Sequence, residues 1–99
     1  MATRTSKRTK ISEEIKEPKL YKVIMHNDDI TTMDFVVKVL IEIFNKPPYE
    51  AIEIMLFIHN NGQAIVGKYI FDIAMTKIEE THNLARENGF PLKCTIEED

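Results

Sequence analysis

Short strand-like runs and longer runs with helical periodicity alternate along the chain, and their order limits the fold more than any other feature of the sequence. Three runs are rich in β-branched and aromatic side chains, as strands are, at residues 20–25, 63–70 and 92–96. Three others repeat apolar side chains every three or four residues, as helices do, at residues 33–44, 51–59 and 71–88. The order β-α-α-β-α-β predicts an α+β two-layer domain, with a three-stranded antiparallel sheet packed on three helices.

The same spacing predicts which helical side chains face the core. In the first helix these are Met33, Val36, Val37, Leu40, Ile41 and Phe44. In the second helix they are Ala51, Ile52, Met55, Leu56 and His59. In the third helix they are Phe71, Ala74, Ile78, Thr81 and Ala85.

Cap and turn residues mark the ends of these elements. Thr31 or Thr32 can cap the first helix, and Pro48 suits the first turn of the second. Gly62 can take the left-handed conformation that ends the second helix. Gly67 lies within the second strand, which indicates a bulge or a close backbone approach.

Length and composition favour one domain with an extension. Residues 20–99 carry all the periodic runs, whereas residues 1–19 have no periodicity and are predicted to form a flexible N-terminal extension. No run approaches the roughly 20 apolar residues that a membrane span needs, so no membrane association is expected. Cys94 is the one cysteine, which rules out an intrachain disulfide and favours the reducing cytoplasm.

Charge is distributed unevenly between the two parts. Residues 1–19 hold six basic and three acidic side chains, and the remainder holds seven basic and thirteen acidic ones. An acidic body repels phosphate, which argues against nucleic-acid binding, and it suits a cationic ligand.

The densest polar cluster follows the first strand, where Asn27, Asp28 and Asp29 offer carboxylate and amide oxygens. These acceptors suit an ammonium group, whose three N–H donors form charge-assisted hydrogen bonds. The alternative interpretation is a solvated turn with a helix cap. Thr31 lies in the same loop, close enough to contribute to either arrangement.

Apolar side chains near this loop predict a hollow beside the acceptors. Met33, Val36 and Met55 would line it if the first two helices pack on one side of the sheet. His59 shares a helix face with Met55 and is a candidate neutral acceptor. The alternatives are an ordinary core for the three apolar residues and a hydrogen-bonded structural role for the histidine.

Enzyme and metal functions have little support in the sequence. There is no glycine-rich phosphate loop, and the two serines, Ser6 and Ser12, lie in the predicted extension. His26, Asp28 and His59 could be combined into a zinc site, but their spacing specifies none. We expect no enzyme activity, no cofactor and no bound metal.

Several motifs resemble the ClpS family, the adaptors of the bacterial N-end rule pathway. The resemblance covers about residues 20–97, and its motifs are Tyr21-Lys22-Val23-Ile24-Met25-His26-Asn27-Asp28-Asp29, Met55-Leu56, His59, Gly62, Gly67 and Pro91-Leu92-Lys93-Cys94-Thr95. It implies an adaptor that binds proteins with an N-terminal Leu, Phe, Tyr or Trp and a free α-amino group. The adaptor would deliver these N-degron substrates to a Clp-family AAA+ ATPase for degradation.

The resemblance also implies roles for individual residues. Asn27, Asp28 and His59 match the positions that bind the substrate α-amino group. Met33 matches a gatekeeper that excludes β-branched side chains. The walls of the side-chain pocket correspond to Asp29, Thr31, Met33, Val36, Met55 and Leu92.

The partner implied by the resemblance is the N-terminal domain of a ClpA-type or ClpC-type ATPase. Asp72 and Lys77 match part of the docking surface, and the alternative for both is an exposed charged helix face. The extension would help to pass substrate to the ATPase, and a monomer is expected. Ile30, Thr32 and Met75 depart from common family residues, at the pocket edge and beside the docking surface. The alternative function is a protein-interaction module like the C-terminal domain of the ribosomal stalk protein.

Overall fold

The computed structural model describes residues 18–99, and residues 1–17, most of the predicted extension, lie outside the described part. The elements follow the predicted order β-α-α-β-α-β, which confirms the fold class. The strands are β1 (Leu20–His26), β2 (Gln63–Ile70) and β3 (Lys93–Glu98), and the helices are α1 (Met33–Glu42), α2 (Pro48–Asn61) and α3 (Phe71–Glu87).

The sheet has β1 at its centre, in the order β2-β1-β3, and both pairings are antiparallel. Val23 pairs with Gly67 and Ile24 pairs with Ile65, so Val66 is an extra residue and forms a bulge. The ring of Tyr69 covers Gly67, where a Cβ atom would lie only 2.6 Å from the Tyr69 Cε2 atom. The predicted bulge and the predicted close approach are therefore both present.

The core lies between the helices and one face of the sheet. Val23 and Met25 on β1 are fully buried there, and Val66 on β2 joins them. Leu20, Lys22 and Ile24 point to the opposite face, because side chains alternate along a strand. We call this opposite side the outer face of the sheet.

The helices bury somewhat different side chains from those predicted. On α1, Phe35 is buried and Met33 is 44% exposed. On α2, Ile52 and Leu56 are exposed, and the covered face instead comprises Ala51, Ile54, Met55 and Ile58. On α3, Phe71 is exposed at the helix start, whereas the rest of the predicted face is buried, namely Ala74, Ile78, Thr81 and Ala85.

The helix ends follow the cap chemistry. Thr32, not Thr31, caps α1, and its hydroxyl accepts a hydrogen bond from the Phe35 backbone N–H at 3.2 Å. Pro48 is the first residue of α2, and Gly62 ends that helix with φ of 91°. Within residues 18–99, no helix has the length and apolar character to cross a membrane.

Candidate functional site

A cavity of about 410 Å³ opens where the end of β1, the start of α1 and the last turns of α2 meet. We call it the acceptor hollow. Its lining residues are Asn27, Asp28, Asp29, Ile30, Thr31, Thr32, Met33, Val36, Met55, Ile58 and His59. The structure therefore brings together the predicted acceptors and most of the predicted apolar walls in one cavity.

Asp28 organises the loop that forms the polar side of the hollow. Its Oδ1 atom accepts hydrogen bonds from the backbone N–H groups of Ile30 at 2.8 Å and Thr31 at 2.7 Å. Its Oδ2 atom accepts a third from the Thr31 hydroxyl at 2.7 Å. A carboxylate offers about four acceptor positions, so Asp28 can hold this turn and still accept a hydrogen bond from a ligand. The turn and the ammonium site proposed for this loop are therefore compatible.

The carboxyl group of Asp28 is held in its charged form. Partial burial favours the neutral acid and acts to raise the pKa, but the hydrogen bonds from Thr31 and Ile30 together outweigh it. The pKa therefore lies below its ordinary value of 3.8. Asp28 carries a negative charge at neutral pH, which suits it to a cationic ligand.

The apolar side of the hollow is built by the two helices. Val36 on α1 and Ile58 on α2 are 7% and 2% exposed, and they form its deep surface. Met55 is half-buried beside Ile58, whereas Met33 is exposed at the first turn of α1. A flexible thioether at the mouth and branched side chains below suit a bulky apolar group.

One backbone hydrogen bond joins the two halves of the hollow. The Asn27 N–H donates to the Gly62 carbonyl at 2.8 Å, which ties the end of β1 to the C-terminal end of α2. His59 lies in the last turn of α2 and lines the same cavity as Asn27. Asn27 and His59 are both exposed, so their polar atoms are accessible to a ligand that enters the hollow.

One lining residue, Ile58, is not predicted from the sequence, and Ile30 and Thr32, which are expected only at the pocket edge, also line the hollow. Ile58 lies three residues after Met55 and one before His59, so helical spacing could have identified it. Leu92 is the predicted wall residue that does not line the hollow. It is 4% exposed within the core and borders a different cavity near His82 and Arg86, because it precedes β3 beside the end of α3.

The two predicted docking residues lie on α3 but differ in their surroundings. Asp72 is exposed in the first turn. Lys77 is half-buried, and its Nζ atom donates a hydrogen bond to the Ile43 carbonyl at 2.7 Å and lies 5.3 Å from the centre of the Tyr69 ring. Lys77 therefore ties α3 to the end of α1, which differs from the plain exposed helix face considered as its alternative.

Two of the histidines, His26 and His82, have structural partners. His26 Nε2 forms a hydrogen bond with the Thr95 hydroxyl at 2.8 Å, and the Cys94 backbone N–H donates to His82 Nε2 at 3.0 Å. Burial raises the pKa of the Cys94 thiol to about 12. In the part of the chain that the structure describes, no group of three His, Cys, Asp or Glu side chains is placed to hold a metal ion.

Comparison with known proteins identifies close relatives. The family model described as ATP-dependent Clp protease adaptor protein ClpS matches residues 16–95. The adapter protein ClpS of Syntrophus aciditrophicus is 50% identical over 86 residues, which are 87% of this chain and 80% of the relative. The ClpS of Clostridium acetobutylicum is 53% identical over 89 residues, which are 90% of this chain and 88% of the relative.

A solved structure agrees with these sequence matches. It is Agrobacterium tumefaciens ClpS2 bound to L-phenylalaninamide, with a TM-score of 0.80 and 41% sequence identity. The match covers 84% of this chain and all of that one.

The fold and the hollow together define a small α+β binding protein, whose site offers a fixed carboxylate and further polar groups beside an apolar recess. The chain belongs to the ClpS family of ATP-dependent Clp protease adaptor proteins. It is therefore an adaptor and not an enzyme, and it partners with the protease ATPase and with substrate proteins. Family membership also decides against the alternative of a module like that of the ribosomal stalk.

Proposed function

We propose that the acceptor hollow binds the first residue of substrate proteins that begin with Leu, Phe, Tyr or Trp and carry a free α-amino group. The observation that supports this most is that the fixed Asp28 carboxylate and apolar walls share one cavity. Asn27, Asp28 and His59 would bind the α-ammonium group. Asp29, Thr31, Met33, Val36 and Met55 would surround the side chain, with Ile58 as the floor.

The ligand of the Agrobacterium relative has the chemistry that this proposal requires. L-Phenylalaninamide carries a free α-amino group, a benzyl side chain and an amide in place of the first peptide bond. It thus represents the N-terminal residue of a peptide that starts with Phe. The hollow of the present chain offers a charged acceptor, Asp28, and an apolar recess to the same two groups.

The expected affinity follows from these two contributions. Burial of a Leu or Phe side chain contributes roughly 1.5–3 kcal/mol. Hydrogen bonds from the ammonium to a charged acceptor add about 1.5–3 kcal/mol each. The loss of translational and rotational freedom opposes binding, so we expect micromolar affinity or somewhat tighter. A ligand that lacks either group loses a large share of the total.

A pair of matched peptides tests the proposal. A fluorescent peptide that starts with free Phe should bind the full chain with saturation, and its N-acetylated copy should not, because acetylation removes the charge and two donors. Fluorescence anisotropy measures both, and a free peptide that starts with Ser serves as the control for the side chain. Equal affinity for the free and acetylated peptides would refute the role of the hollow in α-amino recognition.

The partner ATPase is proposed to be of the ClpA or ClpC type, with Asp72 and Lys77 on the docking surface for its N-terminal domain. Because Lys77 also holds the end of α1, its substitution would disturb the fold. Asp72 is the cleaner probe. Asp72→Lys should weaken binding to the isolated ATPase N-terminal domain about tenfold, as expected for a charge reversal within an interface.

A control variant on the same helix distinguishes docking from general charge. Glu87→Lys, roughly 22 Å away along α3 at 1.5 Å per residue, should leave ATPase binding unchanged. Both variants should bind the Phe peptide normally. If Asp72→Lys also loses the peptide, misfolding explains the result; if it keeps full ATPase binding, Asp72 does not take part in docking.

Three further features complete the proposal. We place the adaptor domain at residues 20–99 and the extension at residues 1–19, where the extension assists substrate delivery to the ATPase. The adaptor is proposed to act as a monomer. It is proposed to act in the cytoplasm, where a buried unpaired thiol such as Cys94 is chemically ordinary.

A further inference from the structure

A second and larger cavity lies on the other side of α2 from the acceptor hollow. Its volume is about 690 Å³, and it opens between α2 and the outer face of the sheet. We call it the α2 cleft. It is lined by Lys22, Ile24, Glu50, Glu53, Ile54, Phe57, Gln63, Ala64, Ile65 and Glu97. The two cavities share no residue, so the cleft is a separate surface.

The cleft has an apolar surface that extends onto α2. Phe57 and Ile65 are 54% and 49% exposed, and Ile54 lies beside them. Tyr49, Ile52 and Leu56 are also exposed on α2, but helical spacing places them on a different face of the helix, outside the lining of the cleft. Two large apolar side chains that are half exposed inside one cavity indicate a contact surface rather than scattered exposure.

The rim of the cleft is acidic. Glu50 and Glu53 project from the first two turns of α2, and Glu97 lies across from them on β3. Lys22 is the one basic residue in the lining, and its Nζ atom already lies 3.7 Å from Glu97 Oε1. The remaining negative charge therefore favours an occupant that is basic and also carries an apolar side chain.

The N-terminal extension of this chain has that composition. Residues 4–10 contain four basic side chains, Arg4, Lys7, Arg8 and Lys10, and no acidic one. The apolar residue Ile11 follows directly, and the first acidic residue is Glu13. We propose that residues 4–11 bind in the α2 cleft, with their basic side chains on the Glu50 and Glu53 carboxylates and Ile11 against Phe57.

The cleft lies close to the point where the extension joins β1. Leu20 starts β1, and Lys22 and Ile24 on the same side of the strand line the cleft. The distance from Leu20 to Lys22 along the strand is only about 7 Å at 3.3 Å per residue. The seven residue steps from Ile11 to Pro18 can span up to roughly 23 Å. A segment that ends at Pro18 is therefore long enough to reach the cleft.

A spin label on the extension tests this contact in the full chain. Cys94 is 4% exposed and its thiol pKa is raised to about 12, so a nitroxide reagent reacts selectively with a Ser6→Cys substitution. In ¹⁵N-labelled protein the amide signals of Phe57, Ala64 and Ile65 should lose intensity through paramagnetic broadening. In 1 M NaCl, where the Debye length is about 3 Å, the intensity should return.

Charge variants of the cleft and of a distant surface decide the outcome. Glu50→Lys with Glu53→Lys should abolish the broadening, whereas Glu80→Lys with Glu87→Lys on exposed positions of α3 should preserve it. Reversal of Arg4, Lys7, Arg8 and Lys10 to Glu, added to the cleft variant, should restore the broadening.

Three outcomes would overturn the proposal. The first is that no cleft amide broadens, and the second is that the α3 variant abolishes the broadening as the cleft variant does. The third is that the amides of a ¹⁵N-labelled chain broaden only through a spin label on another copy of the chain. Unchanged binding of the Phe peptide in each variant shows that the acceptor hollow remains folded.

Discussion

The acceptor hollow and the α2 cleft are both acidic and apolar, but they are organised differently. The hollow is the smaller, at about 410 Å³ against 690 Å³. Its carboxylate, Asp28, is fixed by three hydrogen bonds from its own loop. In the cleft, Glu50 and Glu53 project from the surface of α2 and Glu97 from β3, and of these three glutamates only Glu97 forms an ion pair within residues 18–99.

This difference predicts two kinds of recognition. A fixed acceptor needs no reorganisation when a ligand arrives, so its hydrogen bonds discriminate between a free and a blocked amine. Glutamate side chains on a surface lose rotamer freedom when they bind, and salt screens them, so they give weak and tolerant attraction. The cleft has the larger volume, but only the hollow contains a carboxylate fixed by hydrogen bonds. We therefore assign the specific binding site to the hollow.

The largest expected effect tests whether the fixed charge of Asp28 gives the hollow its specificity. Asp28→Asn keeps an oxygen that can accept from the Ile30 and Thr31 N–H groups but removes the charge. Affinity for a Phe-starting peptide should fall about 30-fold, which corresponds to about 2 kcal/mol. Titration calorimetry measures it. Asp34→Asn, on the exposed surface of α1, is the matched control and should bind like the parent.

A negative result here would remove the contrast between the two cavities. If Asp28→Asn binds the peptide as tightly as the parent, charge in the hollow matters no more than charge in the cleft. In that case Asp28 serves only to shape the loop, and another group must bind the α-amino group.

The second prediction concerns the apolar half of the hollow. Met33→Ala removes the exposed thioether at the mouth, which we propose restricts branching next to the backbone. Peptides that start with Ile or Val should gain about tenfold in affinity, a change typical of one or two methylene groups in an apolar pocket. Anisotropy titrations with Ile, Val and Phe peptides measure it. Met75→Ala, at a similarly exposed methionine on α3, should leave the selectivity unchanged.

The outcome for Met33 also bears on preorganisation. An unchanged selectivity would mean that the flexible side chain simply moves aside, and that only the polar half of the hollow is fixed. A gain for Ile and Val that is accompanied by an equal gain for Phe would instead indicate a general widening of the mouth, without a gatekeeper role.

Element order could be predicted from the sequence because each element has its own local signal. Pro48 and Gly62 mark both ends of α2, and Gly67 marks the bulge, through conformational preferences that need no tertiary information. The loop acceptors of the hollow, Asn27, Asp28 and Asp29, also follow from local sequence, since they are consecutive. The sequence does not distinguish Thr31 from Thr32 as the cap, because either hydroxyl could reach an N–H group of the next turn.

Burial on α2 could not be predicted in the same way, because the helix carries apolar side chains on two faces. Ile52 and Leu56 fit the periodicity as well as Ile54 and Ile58 do. Which face packs on the sheet depends on the angle at which the chain leaves α1, a tertiary property. The α2 cleft was missed for the same reason, since its lining comes from distant segments such as β3. The family resemblance places Leu92 in the pocket wall, whereas its actual place in the core depends on the turn before β3.

The smallest expected effect tests whether local capping positions the hollow. The Thr32 hydroxyl accepts from the Phe35 N–H at the first turn of α1, the turn that carries Met33. Thr32→Ala should reduce the free energy of unfolding by about 1 kcal/mol, as expected for loss of an N-cap, and urea denaturation followed by circular dichroism measures this.

Thr76→Ala on α3 is the matched control. Its hydroxyl donates to the Asp72 carbonyl within an exposed helix, so its loss should change the free energy of unfolding by less than about 0.5 kcal/mol. Equal stability of the two variants would show that the start of α1 is held by the Asp28 turn and core packing alone, and the hollow would then be less dependent on its cap than the geometry indicates.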